Sequence, residues 1–146
     1  YKAIDSAELL FEDYRIPADY LIGEKEGQGF FQATGGLELG RINVAARGVG
    51  LAEGALRLAT EYSKLRETMG KPIADHQAIQ LYLGEMVTRA RAARLLTFDA
   101  AEAYDRGARC DMEAGMAKYF ASEAAVKNAE TALRIHGGYG YSKEYE

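Results

Sequence analysis

The sequence predicts a mainly α-helical protein of the up-down four-helix-bundle type, in which three long helices follow a short β segment. Apolar residues recur at spacings of three and four along three separate stretches, which is the period of an amphipathic helix. The connections between these stretches are short and contain glycine or proline. Short connections place successive helices antiparallel, as in a bundle. The 146 residues, 48% of them hydrophobic, suffice for one domain with a sizeable core.

The β segment is predicted over residues 7 to 16, where polar and apolar residues roughly alternate until Pro17 ends the run. A single strand leaves its backbone groups unpaired, so its sheet partners are expected in a part of the protein before Tyr1. Residues 17 to 29 contain one proline and three glycines and are predicted to form a loop.

The first long helix is predicted over residues 30 to 64. Gly35, Gly36 and Gly40 weaken its first turns, at roughly 1 kcal/mol each relative to alanine. Either another group approaches the backbone closely at these glycines, or the helix begins nearer residue 37. The apolar stripe of this helix consists of Ile42, Ala45, Val49, Ala52, Leu56 and Ala59.

The second long helix is predicted over residues 76 to 106, with Asp75 as its N-cap and Gly107 just beyond its end. Its inner face is predicted to consist of Ile79, Leu83, Met86, Ala90, Ala93, Thr97, Ala100 and Tyr104. Asp111 is predicted to cap the third long helix, over residues 112 to 136. A ridge of small side chains that permits close helix packing runs along it: Ala114, Ala117, Ala121, Ala124, Ala125, Ala129 and Ala132.

Composition limits the classes of function. A net charge of −4 and a pI of about 5.3 do not suit a general nucleic-acid surface. Cys110 is the single cysteine and cannot form an internal disulfide, which fits a reducing compartment. No apolar run approaches membrane-spanning length, and no signal peptide is visible. The two histidines are not at metal-ligand spacing. A cytoplasmic or mitochondrial-matrix location is expected, without nucleic-acid, membrane or metal binding.

The loop over residues 65 to 74 and the helix start after it contain groups that suit a polyphosphate. Arg66 and Thr68 offer a guanidinium fork and a hydroxyl, and Lys71 adds a second positive charge. His76 and Gln77 lie at a helix N-terminus, where free N–H groups and the dipole favour anions. The alternatives are a solvated charged loop and a first-turn polar pair that satisfies its own backbone. Spacing alone favours these alternatives.

Two further groupings are candidates for ligand contacts. Glu38 and Arg41 share one side of the first helix, where they form either a surface ion pair or a grip on an anionic or carbonyl-rich ligand. Gly40 between them leaves the backbone bare. Residues 135 to 141, with the sequence IHGGYGY, carry more glycine than a helix end requires. They form either a structural turn or a ligand-facing surface, and they match neither a Walker loop nor a dinucleotide fingerprint.

Taken together, residues 38–41 (ELGR), 66–79 (RETMGKPIADHQAI) and 135–141 (IHGGYGY) resemble the C-terminal half of acyl-CoA dehydrogenases, in that family's order and spacing. The resemblance implies an N-terminal helical domain, a middle β-barrel and a C-terminal four-helix bundle. Residues 1–29 would then be the end of the barrel and a linker. Residues 30–146 would be an incomplete bundle with three of its four helices.

The resemblance also implies a function. Family members bind FAD and convert an acyl-CoA thioester to a trans-2-enoyl-CoA, passing electrons to an electron-transfer flavoprotein, and they assemble as homotetramers or homodimers. Glu38 and Arg41 match positions that touch the CoA part of the substrate. Arg134 stands where the family usually has glutamine. The residues that match FAD-binding positions, often toward the flavin of a neighbouring subunit, are Arg66, Thr68, His76, Gln77, Arg134, Ile135, Gly137 and Gly138.

The catalytic base is not expected among these residues. In most members it is a glutamate beyond the glycine turn, which corresponds to a position downstream of Glu146. A minority place it at the position of Gly40, and glycine cannot act as a base. This chain alone is therefore expected to be inactive. Two alternatives stay open: a helical oligomerisation module without activity, and a flavoprotein that resembles acyl-CoA oxidases or nitroalkane oxidases.

Overall fold

A computed structural model describes residues 5–145, and the chain in it divides after Gly35 into two compact units. The first unit contains an irregular segment, a short 3-10 turn over Ala18–Tyr20 and the helix α1, Gly29–Gly35. The amide of Gln32 in α1 donates to the carbonyl of Ile22 at 2.8 Å and fixes the loop against the helix. The second unit contains the long helices.

The predicted strand over residues 7 to 16 is wrong as regards this structure, in which the described part of that segment is irregular and exposed. A strand requires a neighbour for its N–H and C=O groups. Within residues 5–145 the paired strands lie elsewhere, so no ladder forms on this segment. Asp13 also has a positive φ of 45°, which interrupts an extended backbone.

The predicted first helix is interrupted at its glycines. The helix α2 runs over Leu37–Leu65, and Gly36 separates it from α1. The single helix over residues 30 to 64 is therefore wrong, and the alternative start near residue 37 is confirmed. Glycines favour a break because they stabilise helix least among residues other than proline. The stripe on α2 is buried as predicted, with Leu56 partly buried and Tyr62 and Ser63 extending it.

The other two long helices are α3, Gln77–Asp105, and α4, Asp111–His136. The N-cap residue of α3 is His76, so the prediction of Asp75 is wrong. Asp75 ends a 3-10 turn over Ile73–Asp75, whereas His76 is extended and its carbonyl accepts hydrogen bonds from the N–H groups of Ile79 and Gln80. The carbonyl of Asp75 instead accepts from Lys71 Nζ at 3.0 Å.

The N-cap residue of α4 is Cys110, so the prediction of Asp111 as the cap is also wrong by one residue. The carboxylate of Asp111 accepts hydrogen bonds from Nε and Nη2 of Arg109 at 2.8 and 3.1 Å. As the first residue of α4, Asp111 still places a negative charge at the positive end of the helix dipole.

The glycine predicted to follow the second long helix is confirmed. Gly107 has φ +69°, and its N–H donates to the carbonyl of Tyr104 at 2.9 Å. The N–H of Ala108 donates to the carbonyl of Ala103 at 3.2 Å. These two bonds form a Schellman motif, which satisfies the last carbonyls of α3 and turns the chain toward α4.

The core lies between the three long helices, with α4 packed against both α2 and α3. The alanine ridge of α4 is buried as predicted except at Ala129, which is exposed, while Asn128 is buried beside it. On α3 the inner face ends at Ala103, and Tyr104 is 40% exposed. Gly48 of α2 packs tightly against α4, because a Cβ atom there would lie 2.7 Å from the carbonyl oxygen of Ala121. The predicted mainly helical bundle is confirmed.

A short hairpin, which the sequence did not predict, joins α2 to α3. Its strands are β1, Glu67–Thr68, and β2, Lys71–Pro72, paired antiparallel. Met69 and Gly70 between them both have positive φ, 54° and 79°, as a two-residue type I′ turn requires. After the hairpin Ile73 is buried, and its N–H donates to the carbonyl of Arg66 at 2.8 Å. The connection is therefore anchored to the end of α2.

Candidate functional site

The ends of α2 and α4 and the hairpin border one open groove of ≈ 690 Å³. Five of the predicted cofactor-binding residues line it, although they come from two parts of the chain about 70 residues apart. The lining consists of Tyr62, Arg66, Thr68, Ile73, Ile135, His136, Gly137, Gly138, Tyr139, Ser142 and Glu144. The fold thus brings Arg66 at the end of α2, the hairpin and the glycine turn together within one protomer.

Arg66 provides a positive charge at the groove. It follows the last residue of α2, and its backbone N–H donates to the carbonyl of Tyr62 at 2.9 Å. Its guanidinium carbon lies 5.9 Å from the centre of the Tyr139 ring, at the outer range of a cation–π contact. The side chain is exposed, so its hydrogen-bond donors face solvent where an anion can reach them.

Thr68 and His76 form one unit across the hairpin. Thr68 Oγ1 lies 3.1 Å from Nε2 of His76, within hydrogen-bond distance. His76 therefore touches the groove through the threonine hydroxyl and is not itself part of the lining. Gln77 is the first residue of α3 and is exposed, beside N–H groups that lack partners within the helix.

The glycine turn supplies bare backbone. Gly137 has φ +59° and ends α4, and a 3-10 turn over Gly137–Tyr141 follows. A Cβ atom added at Gly137 or Gly138 would meet no heavy atom within 4 Å, so open space lies over both. Ile135 is 4% exposed and fixes the turn to the core, whereas Arg134 is exposed and does not line the groove.

An aromatic cluster, defined by Tyr62, His136, Tyr139 and Tyr145, forms one side of the groove, which its first three members line. The Tyr145 ring meets the other three edge-on, with ring centres 5.4 to 5.5 Å apart. Nδ1 of His136 donates to the carbonyl of Ala132 at 2.8 Å. Burial raises the pKa of Tyr62, and Tyr145 and Tyr139 raise it further, while the charge of Arg66 opposes them.

Sequence reasoning missed most of this cluster. The glycine-rich segment drew attention to Tyr139, but Tyr62 sits three residues beyond Ala59 and continues the apolar stripe of α2. Its spacing of three residues from Ala59 could have predicted that Tyr62 is buried. No local pattern relates it to His136 or Tyr145.

The predicted substrate-binding pair lies at the other end of the bundle. Glu38 is in the first turn of α2, and its Oε2 accepts a hydrogen bond from Cys110 Sγ at 3.4 Å. Burial raises the pKa of Cys110, and the bond to Glu38 adds to this, so the sulfur stays protonated as the donor. Arg41 lies close enough to Asp111 to contribute to lowering that carboxyl's pKa, after the larger effect of Arg109.

The two predicted ligand sites are therefore far apart in one protomer. The helix α2 contains 29 residues and spans about 40 Å from the Glu38 end to the Arg66 end.

Within residues 5–145 no cluster of three or more histidine, cysteine or acidic side chains is placed to hold a metal ion. In the same range, no helix combines the length and the apolar character needed to cross a membrane.

Comparison with known proteins identifies the family. The family model described as acyl-CoA dehydrogenase, C-terminal domain, matches residues 27–146. An acyl-CoA dehydrogenase of Bacillus subtilis (strain 168) is 49% identical over 141 residues, which cover 97% of this chain and 37% of that protein. The chain thus spans little more than a third of this curated relative.

Solved structures agree. Butyryl-CoA dehydrogenase from Megasphaera elsdenii superposes with a TM-score of 0.82 at 43% identity, covering 84% of this chain and 32% of that one. A chain in a structure of the electron transferring flavoprotein of Acidaminococcus fermentans gives a TM-score of 0.81 at 45% identity, covering 83% and 32%. The resemblance seen in the sequence is confirmed, and the chain belongs to the acyl-CoA dehydrogenase family, of which it contains the C-terminal helical domain.

Proposed function

We propose that this chain is the flavin-contacting helical part of an FAD-dependent acyl-CoA dehydrogenase, which converts an acyl-CoA thioester to a trans-2-enoyl-CoA. The observation that carries this proposal is the groove in which Arg66 and Thr68 meet Gly137 and Gly138. A cation, a hydroxyl and bare backbone at one concave place suit a diphosphate better than they suit an apolar ligand.

The residues present fit FAD. The guanidinium of Arg66 and the hydroxyl of Thr68 can hold phosphate oxygens, and His76 keeps that hydroxyl in place from outside the groove. Gly137 and Gly138 let a nucleotide approach the backbone because no side chain covers them. The groove volume lies in the range of cofactor sites. Bound FAD supplies a hydride acceptor, a capacity that protein side chains lack.

The substrate is assigned to the other end of α2. Arg41 is exposed and can bind an anionic or carbonyl group of the CoA moiety, and Cys110 holds the carboxylate of Glu38. Hydride transfer requires donor and acceptor in contact. A flavin at Arg66 and a thioester at Arg41 of the same protomer would be separated by much of α2, about 40 Å long.

Two protomers are therefore proposed to build each centre. One protomer contributes its Glu38 and Arg41 end, and its neighbour contributes its Arg66 and Gly137 end. This arrangement requires at least a homodimer, and a homotetramer contains it twice. Removal of the substrate's α-proton is assigned to a carboxylate outside this chain, so the isolated chain is expected to leave flavin oxidised when acyl-CoA is added. The reduced enzyme is proposed to pass electrons to an electron-transfer flavoprotein.

The test is FAD titration of the full-length apoprotein with Arg66→Gln. Loss of a charge-assisted contact to a phosphate is expected to weaken FAD binding by about tenfold or more. Arg106→Gln is the matched control, because Arg106 is an exposed arginine at the far end of the bundle, 3.9 Å from Glu102. Equal FAD affinity of the Arg66→Gln variant and the unmodified protein would contradict the assignment of this groove.

The same preparation separates the alternatives. Association of protomers without FAD binding at saturating concentration would favour a module used only for assembly. Rapid reaction of the reduced full-length protein with oxygen would favour an oxidase. A dehydrogenase is expected to react slowly with oxygen and rapidly with an electron-transfer flavoprotein.

A further inference from the structure

Asn128 is a buried polar residue that joins all three long helices. It lies on α4 and is completely buried. Its Nδ2 donates to the carbonyl of Ala52 on α2 at 3.2 Å and to the carbonyl of Met86 on α3 at 3.0 Å. Its Oδ1 accepts from Nη1 of Arg89 at 3.1 Å. The other end of the Arg89 guanidinium pairs with Glu85. Both amide protons and the amide oxygen therefore have partners.

These bonds fix how far each helix lies along its own axis. Moving α4 by one residue along its neighbours is a shift of about 1.5 Å. Hydrogen bonds weaken steeply with such changes, and an unpaired amide in a dry core is costly. The rest of the α4 interface consists largely of alanines, and side chains of one small size discriminate weakly between neighbouring registers. The hydrogen bonds of Asn128 favour one axial register of α4 over its neighbours, which the alanine ridge alone does not.

The register matters because the groove is built from helix ends. Arg66 follows the last residue of α2, His76 precedes α3, and Gly137 follows α4. Asn128 precedes Gly137 by nine residues, or about 13 Å of helix. We propose that Asn128 is a positioning residue, which sets the axial register of α2, α3 and α4 and thereby the spacing of the groove walls. That the groove's ligand is FAD rests on the proposed function.

The experiment compares Asn128→Leu with Val49→Ala in the full-length protein. Leucine keeps the branching and the number of heavy atoms of the side chain and removes all three hydrogen bonds. Val49→Ala creates a defect in the apolar core of α2 and leaves the polar network intact, so it serves as a control of lowered stability. Thermal midpoints establish how closely the two variants match. FAD affinity by titration and hydrogen exchange of the peptide over residues 133–141 are then measured for both.

Asn128→Leu is expected to bind FAD about tenfold more weakly than Val49→Ala, the change that corresponds to roughly one buried hydrogen bond. Its 133–141 peptide is expected to exchange faster. Equal affinity and equal exchange in the two variants would overturn the proposal. If Asn128→Leu does not fold, Arg89→Met removes the donor to Oδ1 from the partly exposed side of the network. That variant is expected to shift both measurements in the same direction, and unmodified values in it would overturn the proposal.

Hydrogen exchange separates this proposal from the proposed function. If the unmodified protein binds no FAD, the flavin assignment fails, while faster exchange over residues 133–141 in Asn128→Leu than in Val49→Ala still supports the register role. If the unmodified protein binds FAD but the two variants match each other in both FAD affinity and exchange, the register role fails alone.

Discussion

The imidazole of His136 stacks on the phenol ring of Tyr62, with ring centres 4.3 Å apart and planes inclined by 22°. The same tyrosine donates its hydroxyl proton to the backbone carbonyl of His136 at 3.3 Å. One side chain of α2 therefore holds both the ring and the backbone of the last residue of α4. The glycine turn begins at the next residue, so this contact connects the packing of the bundle to the shape of the groove.

Tyr62→Phe and Tyr62→Leu should separate these two contacts. Phenylalanine keeps the stack and loses the bond to the carbonyl, which is expected to cost about 1 kcal/mol. Leucine loses the aromatic pair as well, for an additional cost of roughly 0.5–1.5 kcal/mol. Thermal unfolding of the full-length protein measures the difference. Leucine being tolerated as well as phenylalanine would show that the stack contributes nothing.

Gly48→Ala should destabilise the bundle, because Gly48 of α2 packs tightly against the backbone of α4. The new Cβ would lie 2.7 Å from a backbone oxygen of Ala121, which cannot move without shifting a helix. A cost of about 1–3 kcal/mol is expected. Gly84→Ala is the control, since Gly84 lies on an exposed part of α3 with nothing within 4 Å of the added atom. Alanine there should stabilise by up to about 1 kcal/mol. Opposite shifts in the thermal midpoint are the expected result.

Asp111 should make stability depend on pH in the acid range. The hydrogen bonds from Arg109 lower the pKa of this carboxyl below its ordinary value of 3.8. A lowered pKa in the folded state means that the contribution is present above pH 3.8 and is lost as pH falls through the folded value. The thermal midpoint of Asp111→Asn should therefore lie below that of the unmodified protein at pH 6. The two midpoints should converge as the pH falls below the lowered pKa of Asp111.

Arg109→Gln should lower the thermal midpoint at pH 6 by most of the amount that Asp111→Asn does, because Arg109 is the main cause of the lowered pKa of Asp111. Arg106→Gln, which removes the exposed pair with Glu102, is the control and should leave the acid dependence unchanged. A constant gap between Asp111→Asn and the unmodified protein from pH 6 to pH 3 would show that the charge of Asp111 is not responsible.

Cys110 should resist alkylation while the protein is folded. Its sulfur is fully buried and bonded to Glu38, and both burial and the nearby carboxylate raise the pKa of the thiol. The reactive form is the thiolate, which is scarce when the pKa is raised. Mass spectrometry after iodoacetamide treatment at pH 8 should show the Cys110 peptide modified slowly in native protein and rapidly in denaturant. Equal rates would contradict the burial of this side chain.

The sequence allowed the long helices to be predicted because their information is local. The repeat from Ile42 to Ala59 and the alanines of α4 recur every three or four residues, and the positive-φ glycine after α3 is a standard helix end. Cap positions were misplaced by one residue at Asp75 and Asp111. Capping depends on where the preceding 3-10 turn or ion pair places the backbone, and composition does not show that.

Other features depend on residues distant in sequence and were not predictable from patterns. The hairpin strands are two residues long, too short for alternation, and Met69 takes a left-handed conformation that its side chain does not favour. Asn128 is a polar residue that the sequence alone would place at the surface. Its burial becomes evident only in the structure, where carbonyl groups of α2 and α3 accept its hydrogen bonds. The candidate residues Arg66 and Gly137 were identified from the motifs that they belong to. The groove that unites them appeared only once the helices were packed.

The length of α2 has a genetic consequence. If each centre uses the Arg41 end of one protomer and the Arg66 end of the next, a substitution that inactivates one end of a subunit leaves its other end functional. Mixing an Arg41-defective parent with an Arg66-defective parent would then create hybrid dimers containing one intact centre and one doubly damaged centre. Two inactive strains could restore activity to each other by complementation within a single gene.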